Sequence, residues 1–340
     1  MKKIKFIQLI GTQRSGSNLL RLMLDQLPEV AAPHPPHILK VFSTFIHSYG
    51  NLSLRTNRVK LASDILYLVR NNPVPWEGFT IDAEKLADEA PQHSLTGVFT
   101  ALYQAYAKTK NANVVCCKSM ANIFFFRELE DLGLRPYYIY LYRDGRDVAS
   151  SFRHTIVGPK HIYFLADKWK KEQEACLSLK QQLGRKRFLA VSYEDLVTNP
   201  EKVLHQICDR IGLHYNDTML RYHQSSASQI ASAAGSMWEN LAKPLIKNNI
   251  GKYVSDLLPQ EITMFEDIAG EQLRKLNYSC TVKERLQVYD QLKIADFYRL
   301  DQTMRKEVEK RMPRNELDRR QRYQNAIKKI DQQMNKKIKI

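Results

Sequence analysis

Apolar positions along the chain fall into two patterns that take turns. Residues 3–10 are β-rich and run into Gly11, after which Leu19, Leu20, Met23, Leu24 and Leu27 recur at helical spacing before Pro28. The pattern predicts strand, glycine-bearing loop, helix. The apolar runs Val114–Cys117, Tyr137–Tyr142 and Phe188–Ser192 predict buried strands, each followed by polar or glycine-containing residues and then a helical pattern. Further on, Asn199-Pro200 caps a helix whose Leu204, Ile207, Cys208 and Ile211 share one face, with Gly212 past its end. Strands alternating with helices predict a three-layer α/β fold, a parallel sheet flanked by helices. Its ligand belongs at the carboxyl ends of the strands.

Two stretches stand apart from this alternation. Residues 38–112 read as a mostly helical insertion, broken at Asn72-Pro73-Val74-Pro75-Trp76. After an amphipathic helix over 261–276 the chain becomes strongly charged, so the sequence divides into a domain over 1–280 and a basic, mainly helical extension over 281–340. Within the extension, Tyr323, Ile327, Ile330, Met334 and Ile338 make a narrow apolar stripe. That stripe predicts docking on the domain, or on a second subunit as a homodimer contact. No apolar run approaches the ~18 residues of a membrane span. The apolar run 4–10 is too short for a signal core and leads into a loop rather than a cleavage site, so the expected location is the cytoplasm.

The chain has 340 residues and a formal charge of +16. Residues 301–340 hold thirteen Lys/Arg against six Asp/Glu, so the excess is spread over the chain rather than confined to its tail. Such charge suits nucleic acid, anionic lipid or a small polyanion without choosing among them. The five cysteines (Cys116, Cys117, Cys176, Cys208 and Cys280) have no metal-site spacing and read as free thiols.

Gly11-Thr12-Gln13-Arg14-Ser15-Gly16-Ser17-Asn18 has the G-x-x-x-x-G spacing of a loop whose backbone N–H groups and following helix N-terminus cradle a phosphate. A nucleotide hydrolase needs Lys and then Ser/Thr next, for the terminal phosphates and magnesium. Ser17 and Asn18 stand there instead, and the cation has moved into the loop as Arg14, which suits a phosphate or sulfate bound without metal. The competing reading is a tight turn carrying an exposed arginine. A second anion signature is Arg143 at a predicted strand end with Ser151 eight residues on, two turns along the next helix.

The two elements together resemble the sulfotransferases that use 3′-phosphoadenosine 5′-phosphosulfate (PAPS). The likeness continues through Tyr193-Glu194-Asp195-Leu196 before Asn199-Pro200, and through Lys243-Pro244 and Ile250-Gly251-Lys252-Tyr253. It spans roughly residues 3–280, and implies the P-loop nucleoside-triphosphate-hydrolase-like sulfotransferase fold. By that resemblance Arg14, Ser15, Gly16, Ser17 and Asn18 hold the 5′ end of the donor. Arg143 and Ser151 hold its 3′-phosphate, with Tyr193 near the adenosine and Ser236 a neighbour. Lys252 closes over the phosphosulfate, and Lys118 lies near the transferred group. Asp144, Asp147, Glu194 and Asp195 are expected to orient their neighbours. The product is adenosine 3′,5′-bisphosphate (PAP), and no metal is required.

Sulfuryl transfer also needs a base for the attacking hydroxyl. Relatives often place a Glu just after the second strand. Here that segment is Ala32-Pro33-His34-Pro35-Pro36-His37, which makes His34 or His37 the expected base, His34 first. Pro36 is expected to open a helix whose N-terminus keeps the imidazole neutral. Phe42, Phe45, Trp76, Phe79 and Trp238 are candidates to line an apolar acceptor pocket. The expected acceptor is a small hydrophobic hydroxyl compound (sterol, lipid alcohol or phenol), with a glycan or a protein tyrosine second. Two rival classes remain: a magnesium-dependent kinase or ATPase, and a nucleic-acid-binding protein, although no recognition motif for nucleic acid is present.

Overall fold

The structure is a computed structural model that describes residues 4–283 and 287–337. Five strands form one parallel sheet: β1 (Lys5–Ile10), β2 (Val30–Ala31), β3 (Val114–Cys117), β4 (Tyr137–Tyr142) and β5 (Phe188–Ser192), in the order β2-β3-β1-β4-β5. Ile7 of β1 sits opposite Cys116 on one side and Tyr137 on the other, which makes β1 the central strand. Strand order reverses about β1, and a crevice opens there at the carboxyl edge.

Both faces of the sheet are covered, which is why its strands read as apolar runs rather than alternating ones. Ile7 and Leu9 pack with the helices Ser17–Leu24, Tyr193–Thr198 and Pro200–Ile211. On the other face, Ile10 packs with Gly145–Arg153, Ile162–Arg187 and Pro259–Lys275, while Phe6 meets the 38–112 insertion. That insertion folds as helices Ile38–Phe42, Arg55–Arg70, Ala83–Asp88 and Leu95–Thr109, with a 3-10 turn at Ile46–Tyr49.

The extension forms helices Gln291–Lys310 and Arg314–Lys337, and the second turns its stripe inward. Ala326, Ile330 and Met334 are each 1% exposed within the cluster built by the insertion, and Tyr323 and Ile327 pack beside them. The stripe is therefore occupied within its own chain; Ile338, its last expected member, lies outside the described residues. All five cysteines are free. No described helix is long and apolar enough to cross a membrane.

Candidate active site

The loop leaving β1 is pressed onto the neighbouring strand. A Cβ on Gly11 (φ +127°) would stand 2.3 Å from the Leu141 carbonyl oxygen, so only glycine lets the chain turn there. Gly16 precedes the helix Ser17–Leu24, and Arg14, although not glycine, also adopts a left-handed backbone at φ 74°. The turn directs successive groups into a cleft of about 1310 Å³ lined by Arg14, Gly16, Ser17 and Asn18. Ser15 is fully buried, and its Oγ has no hydrogen-bond partner among the described residues.

Arg14 does not stay beside its own loop. Its Nε donates to Ser151 Oγ at 3.0 Å and its Nη1 to the Met237 carbonyl at 3.2 Å. Desolvation and the nearby Arg143 lower its pKa to about 10. Arg143, at the end of β4, donates to the carbonyls of Arg14 (3.2 Å) and Asn249 (2.7 Å) and pairs with Asp147 at 3.3 Å. Its Nε is buried without a partner among the described residues, and its guanidinium lies 4.5 Å from the centre of the Tyr193 ring. Asn249 in turn donates to the Tyr193 hydroxyl at 3.0 Å. Two cations and a hydroxyl thus converge from β1, β4 and the helix after β4, an arrangement suited to an oxyanion.

The expected acidic residues serve as local supports. Asp147 accepts the backbone N–H groups of Gly251 (2.8 Å) and Tyr253 (2.9 Å), Asp144 pairs with Arg146 at 2.7 Å, and Asp195 accepts from Ser192 Oγ at 2.7 Å. Glu194 accepts the Asp144 N–H at 3.1 Å.

Across the cleft, the segment after β2 is held by side chains, because Pro33, Pro35 and Pro36 have no N–H to donate. Buried Arg21 donates to the Ala32 carbonyl at 2.6 Å, and Trp76 Nε1 to the His34 carbonyl at 2.6 Å. Asn72 Nδ2 donates to that same carbonyl at 3.1 Å and lies 3.4 Å from His34 Nδ1. The carbonyl contact fixes which end of the Asn72 amide is NH₂. His34 Nδ1 is then the acceptor, and the ring carries its proton on Nε2. That nitrogen is buried without a partner among the described residues, and burial followed by the charge of Lys118 holds His34 well below the usual histidine range.

His37 differs. It is half-buried, lines the cleft, and its Nδ1 lies 3.3 Å from Ser119 Oγ, a hydroxyl able to accept Nδ1–H and leave Nε2 as a base. Desolvation, then Lys118 and Lys40, lower its pKa to about 3. The helix that follows starts at Ile38 rather than Pro36, because His37 takes a left-handed backbone (φ 55°) and cannot continue a helix from the prolines. Lys118 is 6% exposed and makes no hydrogen bond or ion pair among the described residues. Desolvation, Arg21 and Arg14 lower its pKa to about 7.

Ser236 and Lys252 lie outside the cleft lining. Both are exposed; Ser236 gives its N–H and Oγ to Glu316 at 2.7 and 2.9 Å, and Lys252 caps the short helix Tyr253–Asp256. Among the five aromatic candidates Trp238 lines the cleft, with its ring 5.0 Å from that of His34, whereas Phe42, Phe45, Trp76 and Phe79 pack in the core of the insertion. Sequence reasoning gave no site role to Arg21, Asn72, Asn249, Tyr323 or Arg320, the last of which lines the cleft with its guanidinium 5.6 Å from the centre of the Trp238 ring. Arg21 left a trace as a cation on the buried side of an otherwise apolar helix, and Tyr323 was read only as part of the apolar stripe. Among the described residues no cluster of His, Cys, Asp and Glu has the makings of a metal site.

With the geometry established, known proteins place it. The chain is 24% identical over 280 residues to protein-tyrosine sulfotransferase A of Caenorhabditis elegans, an alignment covering 80% of this chain and 67% of that protein. It is 25% identical to protein-tyrosine sulfotransferase 2 of Gallus gallus over 66% of this chain, and spans only 55% of the chicken protein. Among solved structures, the sulfotransferase domain from the curacin biosynthetic pathway superposes with a TM-score of 0.54 at 22% identity, covering 82% of this chain and 99% of that one. The sulfotransferase domain of the Synechococcus PCC 7002 olefin synthase gives 0.52 at 20% identity, covering 82% and 97%. These likenesses support the P-loop-like sulfotransferase fold with its parallel sheet. The sequence profile of the Sulfotransferase family matches residues 7–217, the stretch that runs from β1 past β5 and includes Arg14, Lys118 and Arg143, and the chain therefore belongs to that family of transferases.

Proposed function

We propose that this sulfotransferase moves the sulfuryl group of PAPS, the family's donor, onto a phenolic hydroxyl. The observation that carries the reading is the meeting of Arg14, Arg143 and Lys118 in one cleft where Arg14 finds only neutral acceptors and Lys118 finds none among the described residues. Such uncompensated positive charge calls for a polyanion. Unpartnered Ser15 Oγ and Arg143 Nε fit the same group. Arg14, Arg143 and Ser151 would hold the 3′-phosphate, beside Tyr193. The backbone of residues 15–18 and the helix N-terminus would hold the 5′ end.

Bound there, the donor supplies an electrophilic sulfur whose bond to the 5′-phosphate oxygen breaks as the acceptor oxygen bonds to it. His37 takes the acceptor's proton at Nε2, His34 offers its Nε2–H to an oxygen, and the Lys118 ammonium neutralises charge developing on the leaving phosphate. Burial, then Lys118 and Lys40, make His37 a weak base, and a weak base suits a phenol over the far less acidic hydroxyl of a sterol.

Thermal unfolding with PAP, and with ATP plus EDTA, tests the donor site: PAP at ~100 times its dissociation constant should add about 2.7 kcal/mol. No stabilisation by PAP would overturn the donor assignment. Turnover of PAPS with 2-naphthol, a 3β-hydroxysterol, an oligosaccharide and a tyrosine peptide tests the acceptor, and turnover of the sterol alone would overturn the phenolic reading. A protein tyrosine is the second reading. It is favoured by the relatives' names and by a cleft of about 1310 Å³, larger than the ~300–1,000 Å³ of most small-molecule sites. Higher efficiency with the peptide than with 2-naphthol selects it.

A further inference from the structure

The extension lies beyond the family match, yet it holds three of the loops that line the cleft. Asp301, 1% exposed, accepts the N–H groups of Lys160 (2.5 Å) and His161 (2.9 Å), next to the lining residues Gly158 and Pro159. Glu316, 2% exposed, accepts from Ser236 beside Met237, whose carbonyl receives Arg14. Tyr323, half-buried, donates its hydroxyl proton to the Pro36 carbonyl at 2.9 Å.

The last contact bears on the proposed base. The Pro36 carbonyl and the His37 N–H belong to one rigid peptide plane, so holding that carbonyl restrains the plane from which φ of His37 is set. His37 sits at φ 55°, a left-handed conformation that a non-glycine residue keeps only when its surroundings impose it. Pro35 and Pro36 bring no N–H to help. The helix carrying Tyr323 is itself anchored through Ala326, Ile330 and Met334, so the hydroxyl is presented from a firm base.

We propose that Tyr323 is a positioning residue for His37, which makes the C-terminal helix part of the catalytic apparatus; this rests on His37 being the base. Freed from the hydroxyl, His37 relaxes toward ordinary backbone angles and its ring leaves the reactive arrangement.

A double-mutant cycle with PAPS and 2-naphthol tests this. Tyr323→Phe should lower kcat roughly tenfold to hundredfold, the equivalent of releasing one strained residue, with PAP affinity unchanged. In the His37→Ala background the same change should alter kcat by less than about twofold, the scatter of independent sites. Equal losses in both backgrounds, or no loss in either, overturn the positioning role. If His37→Ala alone leaves kcat intact, the base assignment has failed and the positioning role falls with it. A readout that needs no acceptor is the His37 imidazole titration followed by NMR. In Tyr323→Phe it should move up toward the ordinary histidine range, and an unchanged titration overturns the proposal.

Discussion

Tyr193 packs against Gly16 so closely that a Cβ at position 16 would stand 2.5 Å from its Cδ2. The same ring carries the Arg143 guanidinium 4.5 Å from its centre. One side chain from the end of β5 thus spaces the loop after β1 from the cation after β4. The proposed anion site is a packed assembly in which three strand ends set one another's positions.

Gly16→Ala should disturb that assembly twice over. The residue sits at φ +82°, where a side chain costs about 1–3 kcal/mol, and its methyl would displace Tyr193. Urea unfolding should show a loss of that order, with weaker PAP binding by calorimetry. In a Tyr193→Ala background the steric part vanishes and Gly16→Ala should cost less. Strict additivity of the two changes would contradict the contact.

Arg143→Ala should weaken PAP binding by on the order of 1.5–3 kcal/mol, the worth of charge-assisted hydrogen bonds. Asp147 keeps its backbone donors Gly251 and Tyr253, so the loop they belong to should survive the change. ATP, which lacks a 3′-phosphate, should lose much less. An unchanged PAP dissociation constant would show that the 3′-phosphate lies elsewhere.

Much of this was legible in the residues, for identifiable reasons. Strands β3, β4 and β5 could be read because a parallel sheet covered on both faces turns its strands into continuous apolar runs. Residues 11–18 could be read because glycine spacing reports backbone geometry directly. The roles of Arg21, Asn72 and Tyr323 were not legible, since each acts on the 32–37 segment from a separate element; Arg21 showed only as a cation on an apolar helix face and Tyr323 only as a member of the apolar stripe. His37 defeated the expectation of a helix opening at Pro36 because its left-handed backbone is imposed by tertiary contacts, Tyr323 on Pro36 among them. Ser236 and Lys252 were assigned through resemblance alone. Here Ser236 answers to Glu316, a partner that the resemblance does not reach.

Ile330→Ala tests whether the C-terminal helix belongs to the core. Ile330 is 1% exposed among residues of the insertion, so truncating it should cost about 2–5 kcal/mol. Chemical denaturation should show one cooperative transition at a lower midpoint. A change below about 0.5 kcal/mol, the scale of surface substitutions, would mean that the helix is not packed as described.

Lys118 links stability to binding with opposite signs. Burial, Arg21 and Arg14 bring its pKa from 10.5 to about 7 in the folded chain. Between those values the unfolded chain binds more protons, so this residue makes stability rise with pH from about 7 toward 10.5, and its full penalty is present below 7. Lys118→Met removes the buried charge at similar volume. At pH 6 it should therefore stabilise the ligand-free protein, on the order of 1–4 kcal/mol, with the gain shrinking as pH rises. Binding runs the other way. An anion beside Lys118 raises its pKa, so at pH 8 the wild type should take up a proton on binding PAP and bind it more weakly than at pH 6. Calorimetric titrations in buffers of different ionisation heat measure that proton directly. Lys118→Met should lose both the uptake and much of the affinity. Equal proton uptake in wild type and variant would place the PAP charge away from Lys118 and remove it from the proposed mechanism.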